Sequence, residues 1–262
     1  MISIEVCLTH QQLENYQHQD KNVVVIDVLR ATSTINTILF SGAKSVKPVE
    51  SLEECMKLKE DGYIVMAERM GKKVEGFDFG NSPSKIKREL FEDRDVGIAT
   101  SNGTKAIVKT KGSKITLISS FLNLSTVIEY LNTNKRDTLL VCSGWKGSTN
   151  LEDTMCAGAI IAGLENYEYE SDTVIIAKKL YNESKNNILS SMKKSSHAKR
   201  LSGCDNIKDI EFCSEIDKQE ILPYLDDEQY YCSFLLFKCL SESLLSFFSI
   251  FFFRASVRST PV

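Results

Sequence analysis

Histidine, tryptophan and proline are scarce in this chain of 262 residues, with 3, 1 and 4 copies respectively. The 8 cysteines include no Cys-x-x-Cys pair and no His-x-x-His pair accompanies them, so a zinc site of the usual spacing is not expected. Basic residues are not in excess, because 32 Lys and Arg face 35 Asp and Glu. The sequence therefore lacks the charge pattern of a nucleic-acid-binding protein, and no nucleic-acid partner is expected. The low Pro and Gly content argues against extended disorder.

Three familiar phosphate-chemistry motifs are also missing from the sequence. No Gly-x-x-x-x-Gly-Lys-Ser/Thr loop occurs. Cys142 follows an apolar run, but Ser148 stands where a cysteine phosphatase needs its arginine. Leu29 occupies the position of the second acid of an Asp-x-Asp phosphatase site. The histidines lie in polar stretches, are expected at the surface and offer no histidine-based nucleophile relay: His10, His18 and His197.

The sequence predicts different properties for the two ends of the chain. The first residues read as a short strand rather than a secretory signal, so a cytoplasmic location with reduced thiols is expected. Residues 234–253 are rich in Phe and Leu and long enough to cross a bilayer, but Lys238 and Glu242 make a poor span. Three interpretations of this segment remain open: a helix packed on a partner, a weak membrane tail, or a non-native end from a shifted reading frame. Residues 226–262 are therefore set apart as a hydrophobic tail.

Strand-like and helix-like segments alternate up to about residue 165. The apolar run Val23–Ile26 is typical of a strand that is buried on both faces of a parallel sheet. This alternation predicts an α/β fold with three layers, α/β/α, around a parallel or mixed sheet. The length suits one large domain or two closely packed lobes.

Helix boundaries are marked by three local signals. Gly42 is expected to close a helix over 31–40, and Ser51 with Glu54 forms a capping box at the start of the next helix. Pro83 is expected to begin a further helix. A helix near 151–164 carries small residues, which indicate close packing on another backbone and offer a surface for a homo-oligomer.

Charged and hydroxyl-bearing residues that could bind a ligand follow the predicted apolar strands. Asp27 ends such a strand, and Arg30 follows three residues later. Asp27 suits a metal ligand or nucleophile, or else a helix cap, while Arg30 suits phosphate or sulfonate oxygens, or else an ion pair with Asp27. The loop Thr100–Thr104 opens a helix and can hold an anion, although simple turn chemistry explains it equally well. The glycine-rich loop 71–83 suits a lid, a metal-bearing flap or a packed surface loop.

The order of these segments is more specific than any one of them. It closely resembles the 2-phosphosulfolactate phosphatase family of coenzyme M biosynthesis. The resemblance rests on Asp27–Thr34, Glu68–Arg69, Gly76–Pro83, Thr100–Thr104, Ser120–Asn123, Cys142–Gly144 and Glu152–Gly158. Later segments at Ser195–Leu201 and Asp209–Cys213 extend it, and residues from 226 onward do not match.

This resemblance implies a phosphatase domain over residues 1–225 with an α/β/α fold. It also implies a Mg²⁺-dependent enzyme that converts 2-phospho-3-sulfolactate into 3-sulfolactate and phosphate. The partner would be a small anionic phosphoester, so several cationic and N–H donors must converge on one site.

Individual roles within such a site are inferred from residue chemistry. The expected catalytic residues are Asp27, Arg30, Glu68 and Asp153. The expected metal ligands are Asp27, Glu68 and Asp153, with Asp78 and Glu152 as reserves, because Mg²⁺ prefers oxygen ligands. The expected substrate contacts are Arg69, Asn81, Thr32, Ser33, Ser101, Asn102, Gly103 and Thr104, together with Lys72 or Lys73. Asp27 could be a ligand, a base for water or a nucleophile, and the ligand role is favoured.

Two other classes of function compete with this hypothesis. The chain could act on, or capture without turnover, another small phosphorylated hydroxy acid. A membrane-tethered interaction protein is a third alternative, which depends only on residues 234–253.

Overall fold

The computed structural model describes residues 2–169, 171–202, 206–226 and 229–233 of the chain. The strands are β1 (Ile2–Cys7), β2 (Asn22–Ile26), β3 (Ser45–Pro48), β4 (Ile64–Arg69), β5 (Lys72–Lys73), β6 (Asp95–Ala99), β7 (Ile115–Ser119), β8 (Thr138–Cys142), β9 (Tyr167–Glu168), β10 (Leu222–Asp226) and β11 (Gln229–Ser233). The α-helices are α1 (Ala31–Phe40), α2 (Leu52–Glu60), α3 (Arg88–Phe91), α4 (Gly103–Lys109), α5 (Leu124–Thr133), α6 (Leu151–Gly163), α7 (Asp172–Ser184), α8 (Ile188–Lys194), α9 (Ser196–Ser202) and α10 (Ile207–Cys213). Short 3-10 helices occupy His10–Asn15, Pro83–Lys85 and Phe121–Asn123.

The strands form one mixed sheet in the order β5-β4-β6-β3-β11-β10-β7-β2-β8-β1-β9. Strands β7, β2, β8, β1 and β9 pair in parallel and form one block. Strands β3, β6 and β4 form a second parallel block, with β5 antiparallel at its edge. The hairpin β10–β11 lies between the blocks and pairs antiparallel with β7 on one side and β3 on the other.

Helices cover both faces of the sheet. Consecutive side chains of a strand point to opposite faces, so each strand packs against helices on both sides. On β2, Val23 and Val25 pack in a cluster with α1 and α4, while Val24 and Ile26 pack in another with α5 and α6. The predicted α/β architecture with a mixed sheet and helices packed around it is confirmed.

The predicted helix ends are met in two cases and not in the third. Gly42 has a φ of +90° and donates its N–H to Leu39 O at 3.0 Å, so it closes α1. Ser51 Oγ accepts the Glu54 N–H at 3.0 Å at the start of α2. At Pro83 the expected helix is only a single 3-10 turn, and α3 begins five residues later.

The small residues of α6 serve packing within the chain. A Cβ added to Gly158 would lie 2.0 Å from the carbonyl oxygen of Ala177 on α7, so glycine lets the two helices approach closely. The expected close packing is confirmed, and its partner is α7. The helix therefore gives no separate support to a homo-oligomer, which stays a prediction.

Two sequence predictions concern the C-terminal region. Strand β11 begins beyond the predicted boundary at residue 225 and pairs within the sheet. The Phe- and Leu-rich segment 234–253 lies outside the described residues. Within the described part of the chain, no helix has the length and apolar character needed to cross a membrane.

Candidate active site

A cavity of about 260 Å³ lies where the ends of β2 and β4 meet the loop after β6 and helix α9. We call it the site cavity. It brings together six of the residues expected from the sequence: Asp27, Arg30, Glu68, Asn81, Ser101 and Asn102. A second cavity of about 370 Å³ is larger but shares Arg30, Gly71 and Asn81 with it. The chemistry concentrates in the first cavity, because Asp27 and Glu68 line only that one.

Asp27 is held at the end of β2 by the turn that follows it. Its N–H donates to Thr32 Oγ1 at 2.9 Å, and its Oδ1 accepts from the Ala31 N–H at 3.4 Å. A Cβ on Gly103 would lie 2.5 Å from Asp27 Oδ2, so only glycine lets the start of α4 approach this carboxylate. Asp27 is 5% exposed and lines the site cavity.

Asp153 lies behind Asp27 and does not line the site cavity. Its carboxylate accepts four hydrogen bonds, from Val28 N at 2.9 Å, Ser143 Oγ at 3.3 Å, Gly144 N at 3.4 Å and Asn150 Nδ2 at 3.2 Å. These donors tie the start of α6 to the end of β2. The geometry therefore makes Asp153 a support for the turn that carries Asp27.

The acidic residues around Asp27 influence one another. Burial is the main cause that raises the pKa of Asp27, and the Glu152 charge adds to it, while His197 opposes it. Burial, together with the charges of Asp27 and Glu152, raises the pKa of Asp153 well above its ordinary value. This concentration of buried negative charge favours a cation at the site.

The three expected metal ligands do not gather into one cluster. Asp27 and Glu68 both line the site cavity, whereas Asp153 is engaged behind it. Over the described residues, no group of three His, Cys, Asp or Glu side chains is placed to hold a metal ion. Two carboxylates facing one cavity still suit Mg²⁺, which is commonly bound through one or two carboxylates, water and substrate phosphate.

Arg30 is buried and pairs with Asp209 rather than with Asp27. Its Nη1 lies 2.6 Å from Asp209 Oδ2 and 3.0 Å from Asn206 Oδ1, and its Nη2 donates to Gly71 O at 3.2 Å. Arg30 therefore forms an ion pair, as the alternative interpretation expected, but its partner is Asp209 and not Asp27. These contacts fix the guanidinium at the wall of the site cavity.

Asp209 also holds the loop that carries Asn81. Its Oδ1 accepts from Ser82 Oγ at 2.7 Å and from Ser84 Oγ at 2.5 Å. Asn81 is 4% exposed, lines the site cavity, and its Oδ1 has no hydrogen-bond partner in the described residues. A buried amide oxygen without a partner is costly, which marks a position where a ligand donor fits.

Five further expected substrate contacts serve local structure and do not line the site cavity: Thr32, Ser33, Arg69, Gly103 and Thr104. Ser33 Oγ donates to Val28 O at 2.8 Å. Thr104 exchanges hydrogen bonds with Thr100, which does line the site cavity, and the Thr104 N–H lies 3.1 Å from Thr100 Oγ1. Arg69 Nη1 donates to the Glu68 carbonyl at 2.7 Å. Thr32 and Gly103 shape the turn around Asp27, as described above, while Lys72 and Lys73 line the second cavity.

Asp78, a reserve metal ligand, lies away from the site cavity. Its Oδ1 is 2.6 Å from Lys59 Nζ, and its Oδ2 accepts the Val65 N–H at 3.0 Å. Partial burial acts to raise its pKa, but these two contacts outweigh it and lower the pKa below the ordinary value of 3.8.

Because the pKa of Asp78 is lowered by folding, its contribution to stability is present above pH 3.8 and is lost as the pH falls further. We expect Asp78→Asn to lower the free energy of unfolding by less than about 1 kcal/mol at pH 7, since the ion pair is half exposed. The difference from wild type should shrink towards pH 3. Urea unfolding over this pH range measures it, and a constant difference contradicts the interpretation.

Three residues that sequence reasoning missed complete the wall of the site cavity: Trp145, His197 and Arg200. The guanidinium of Arg200 stacks on the Trp145 ring at 4.0 Å from its centroid. The surface position expected for His197 was wrong, because its Nδ1 lies 2.8 Å from Glu152 Oε1 and its side chain is only 16% exposed. His10 is also buried, so the surface position predicted from polar neighbours in the sequence was wrong for two of the three histidines. The sequence signal that could have located His197 and Arg200 was the segment Ser195–Leu201, which resembles the family.

The fold and the site together define a class of protein. Carboxylates, guanidinium groups and an imidazole converge on one small cavity at the strand ends of an α/β sheet. This arrangement is typical of an enzyme that acts on a small anionic molecule.

Comparison with known sequences gives the particular family. A sequence profile described as 2-phosphosulpholactate phosphatase matches residues 7–228. The chain therefore belongs to this family of hydrolytic enzymes.

Several relatives support the assignment, and each is described as a probable 2-phosphosulfolactate phosphatase. The Thermotoga maritima protein is 42% identical over 205 residues, which cover 78% of this chain and 89% of the relative. The protein from Caldanaerobacter subterraneus subsp. tengcongensis is 37% identical over 223 residues, covering 83% and 92%. The Gloeothece citriformis protein is 40% identical over 209 residues, covering 76% and 87%.

Proposed function

We propose that this protein is a Mg²⁺-dependent phosphatase that hydrolyses 2-phospho-3-sulfolactate to 3-sulfolactate and phosphate. We place this reaction in coenzyme M biosynthesis and in the cytoplasm. The observation that carries the proposal is the convergence of Asp27, Glu68, Arg30 and Arg200 on one cavity in a chain of this family.

The substrate chemistry suits the cavity wall. The proposed substrate carries a phosphate, a carboxylate and a sulfonate, and guanidinium groups bind such oxygens through paired N–H donors. Arg30 is locked by Asp209, and Arg200 is stacked on Trp145, so both cations are held before a ligand arrives. Pre-organised donors lose less conformational entropy on binding than free side chains.

Asp27 and Glu68 are the residues that would hold Mg²⁺. When bound, the ion would neutralise negative charge on the phosphoryl oxygens. Glu68 Oε1 accepts the Gly71 N–H, which orients its carboxylate, while Asp153 and Thr32 fix the turn that carries Asp27. Binding a cation would also favour the ionised form of Asp27, whose burial otherwise favours its protonated form.

The test is the release of inorganic phosphate from 2-phospho-3-sulfolactate by the purified full chain. Release is expected with Mg²⁺, should stop when EDTA removes the ion and should return when Mg²⁺ is added in excess. Phospholactate, which lacks the sulfonate, should be hydrolysed with a lower kcat/KM. Undiminished turnover after exhaustive chelation contradicts the metal requirement. Binding of the ester without turnover supports a non-catalytic binding protein instead.

A further inference from the structure

We propose that His197 is the general acid of the reaction and that Glu152 positions its imidazole. This inference rests on the proposed phosphatase function and adds the group that protonates the leaving oxygen. Neither residue was expected in this role from the sequence.

The first support is the geometry of the Glu152–His197 pair. Glu152 is 0% exposed in the first turn of α6, and its Oε1 lies 2.8 Å from His197 Nδ1. A carboxylate only accepts hydrogen bonds, so Nδ1 is the nitrogen that carries the shared proton. Since His197 lines the site cavity, its Nε2 is the ring atom left for a ligand. A carboxylate that fixes an imidazole in this way is a recurrent arrangement in acid–base catalysis.

The second support is the way in which α9 is anchored. Ala198 and Leu201 follow His197 and Arg200 in the chain and are buried in the core cluster on the α6 face of the sheet, and Leu201 also lines the site cavity. The Ala198 N–H donates to Ser195 Oγ at 3.0 Å, which holds the start of the helix. Glu152 Oε2 has no hydrogen-bond partner in the described residues, so the carboxylate is committed to the imidazole alone. The imidazole is therefore held at its Nδ1, and the helix that carries it is anchored, before any substrate binds.

The third support is elimination among the residues that line the site cavity in the described part of the chain. Asp27 and Glu68 are assigned to the cation. Arg30 and Arg200 do not give up a proton at any working pH. His197 is the remaining lining side chain with a ring N–H that can be given to a leaving oxygen.

The proposed step balances in atoms and charge. The bond between phosphorus and the ester oxygen breaks, and that oxygen leaves with the bonding electron pair. It takes the proton from His197 Nε2 and becomes the hydroxyl of 3-sulfolactate. The oxygen of a water molecule forms the new bond to phosphorus, and the proton that this water loses returns to Nε2 through solvent. The leaving group is a strongly basic alkoxide, so its protonation should matter greatly for the rate.

The experiment compares two leaving groups in the His197→Gln variant. For 2-phospho-3-sulfolactate, we expect kcat to fall by roughly 10²–10⁴-fold, the usual contribution of a general acid. For nitrophenyl phosphate, whose phenolate leaves without a proton, kcat should fall far less. The Glu152→Gln variant should show the same leaving-group pattern with a smaller loss and a displaced pH profile. The control His18→Gln changes a partly exposed histidine that does not line the site cavity and should leave both rates unchanged.

Each result decides between distinct conclusions. Equal losses with both leaving groups show that His197 binds the phosphate or supports the fold, and they overturn the proposal. Full activity of His197→Gln overturns it as well. If wild type ignores the sulfolactate ester but hydrolyses glycerol 2-phosphate, the proposed substrate fails, and the same comparison on that alkyl ester still tests His197. If wild type hydrolyses no ester, both proposals fall.

Discussion

The Asp27→Asn variant is expected to release phosphate at least roughly 10³-fold more slowly than wild type, within the range known for a lost acid–base or charged catalytic group. Asp27 is buried and lines the site cavity, and the glycine at position 103 leaves room for its Oδ2 beside the start of α4. Asparagine preserves the shape and the acceptor for the Ala31 N–H but removes the negative charge. The measurement is phosphate release at saturating Mg²⁺, with Asp78→Asn as a control that removes a carboxylate outside the site cavity.

The same substitution should stabilise the fold in the absence of divalent cations. Burial and neighbouring negative charge make the ionised form of Asp27 unfavourable in the folded chain, as its raised pKa indicates. Removing that charge should raise the melting temperature in EDTA by roughly 2–4 °C, which corresponds to about 1 kcal/mol for a chain of this size. A fall in both activity and melting temperature would instead mean that Asp27 supports the fold. Near-normal turnover would refute its role in the reaction.

The second large effect is expected on stability, from Asp209→Ala. Asp209 is 1% exposed and pairs with the buried Arg30 at 2.6 Å. Removing one partner of a buried ion pair leaves an uncompensated charge, which typically costs about 3–5 kcal/mol. Ser82 and Ser84 lose their common acceptor in the same variant, so the loop that carries Asn81 also loses its anchor. Urea unfolding followed by circular dichroism measures the change.

A matched control for this variant lies on the same helix, α10. Glu211 forms an exposed pair with Lys193 at 3.4 Å, and such pairs contribute little to stability. Glu211→Ala should therefore unfold close to wild type. If Asp209→Ala unfolds at the same urea concentration as Glu211→Ala, the buried network does not carry the stability assigned to it. Arg30→Met with Asp209→Leu, which removes both charges, should recover much of the lost stability but not the activity.

Local patterns in the sequence predicted the parts of the fold that depend on neighbouring residues. The apolar run of β2, the polar turn beginning at Asp27 and the cap at Ser51 were all readable, because each depends on contacts within a few positions. The ordered motifs also predicted that Asp27, Arg30 and Glu68 would share a site, and these three residues line one cavity.

The remaining features depend on partners far apart in the chain. Arg30 and Asp209 are 179 positions apart, and Glu152 and His197 are 45 apart. A single sequence carries no record of such pairs, so the alternative of an ion pair for Arg30 named Asp27 instead of Asp209, and His197 was placed at the surface. The bond from the Val28 N–H to Asp153 also joins residues 125 positions apart, so the role of Asp153 in holding the turn after β2 was not visible in the sequence.

The hairpin β10–β11 has a consequence for biogenesis. Strands β7 and β3 are joined only through it in the described sheet, at Tyr224 beside Leu117 and at Tyr230 beside Val46. Asp27 directly follows β2 in one block and Glu68 lies on β4 in the other, and the hairpin is encoded after every residue that lines the site cavity. A nascent polypeptide therefore emerges from the ribosome with both halves of its catalytic apparatus already synthesised. It can complete the sheet that unites them only when translation has passed residue 233.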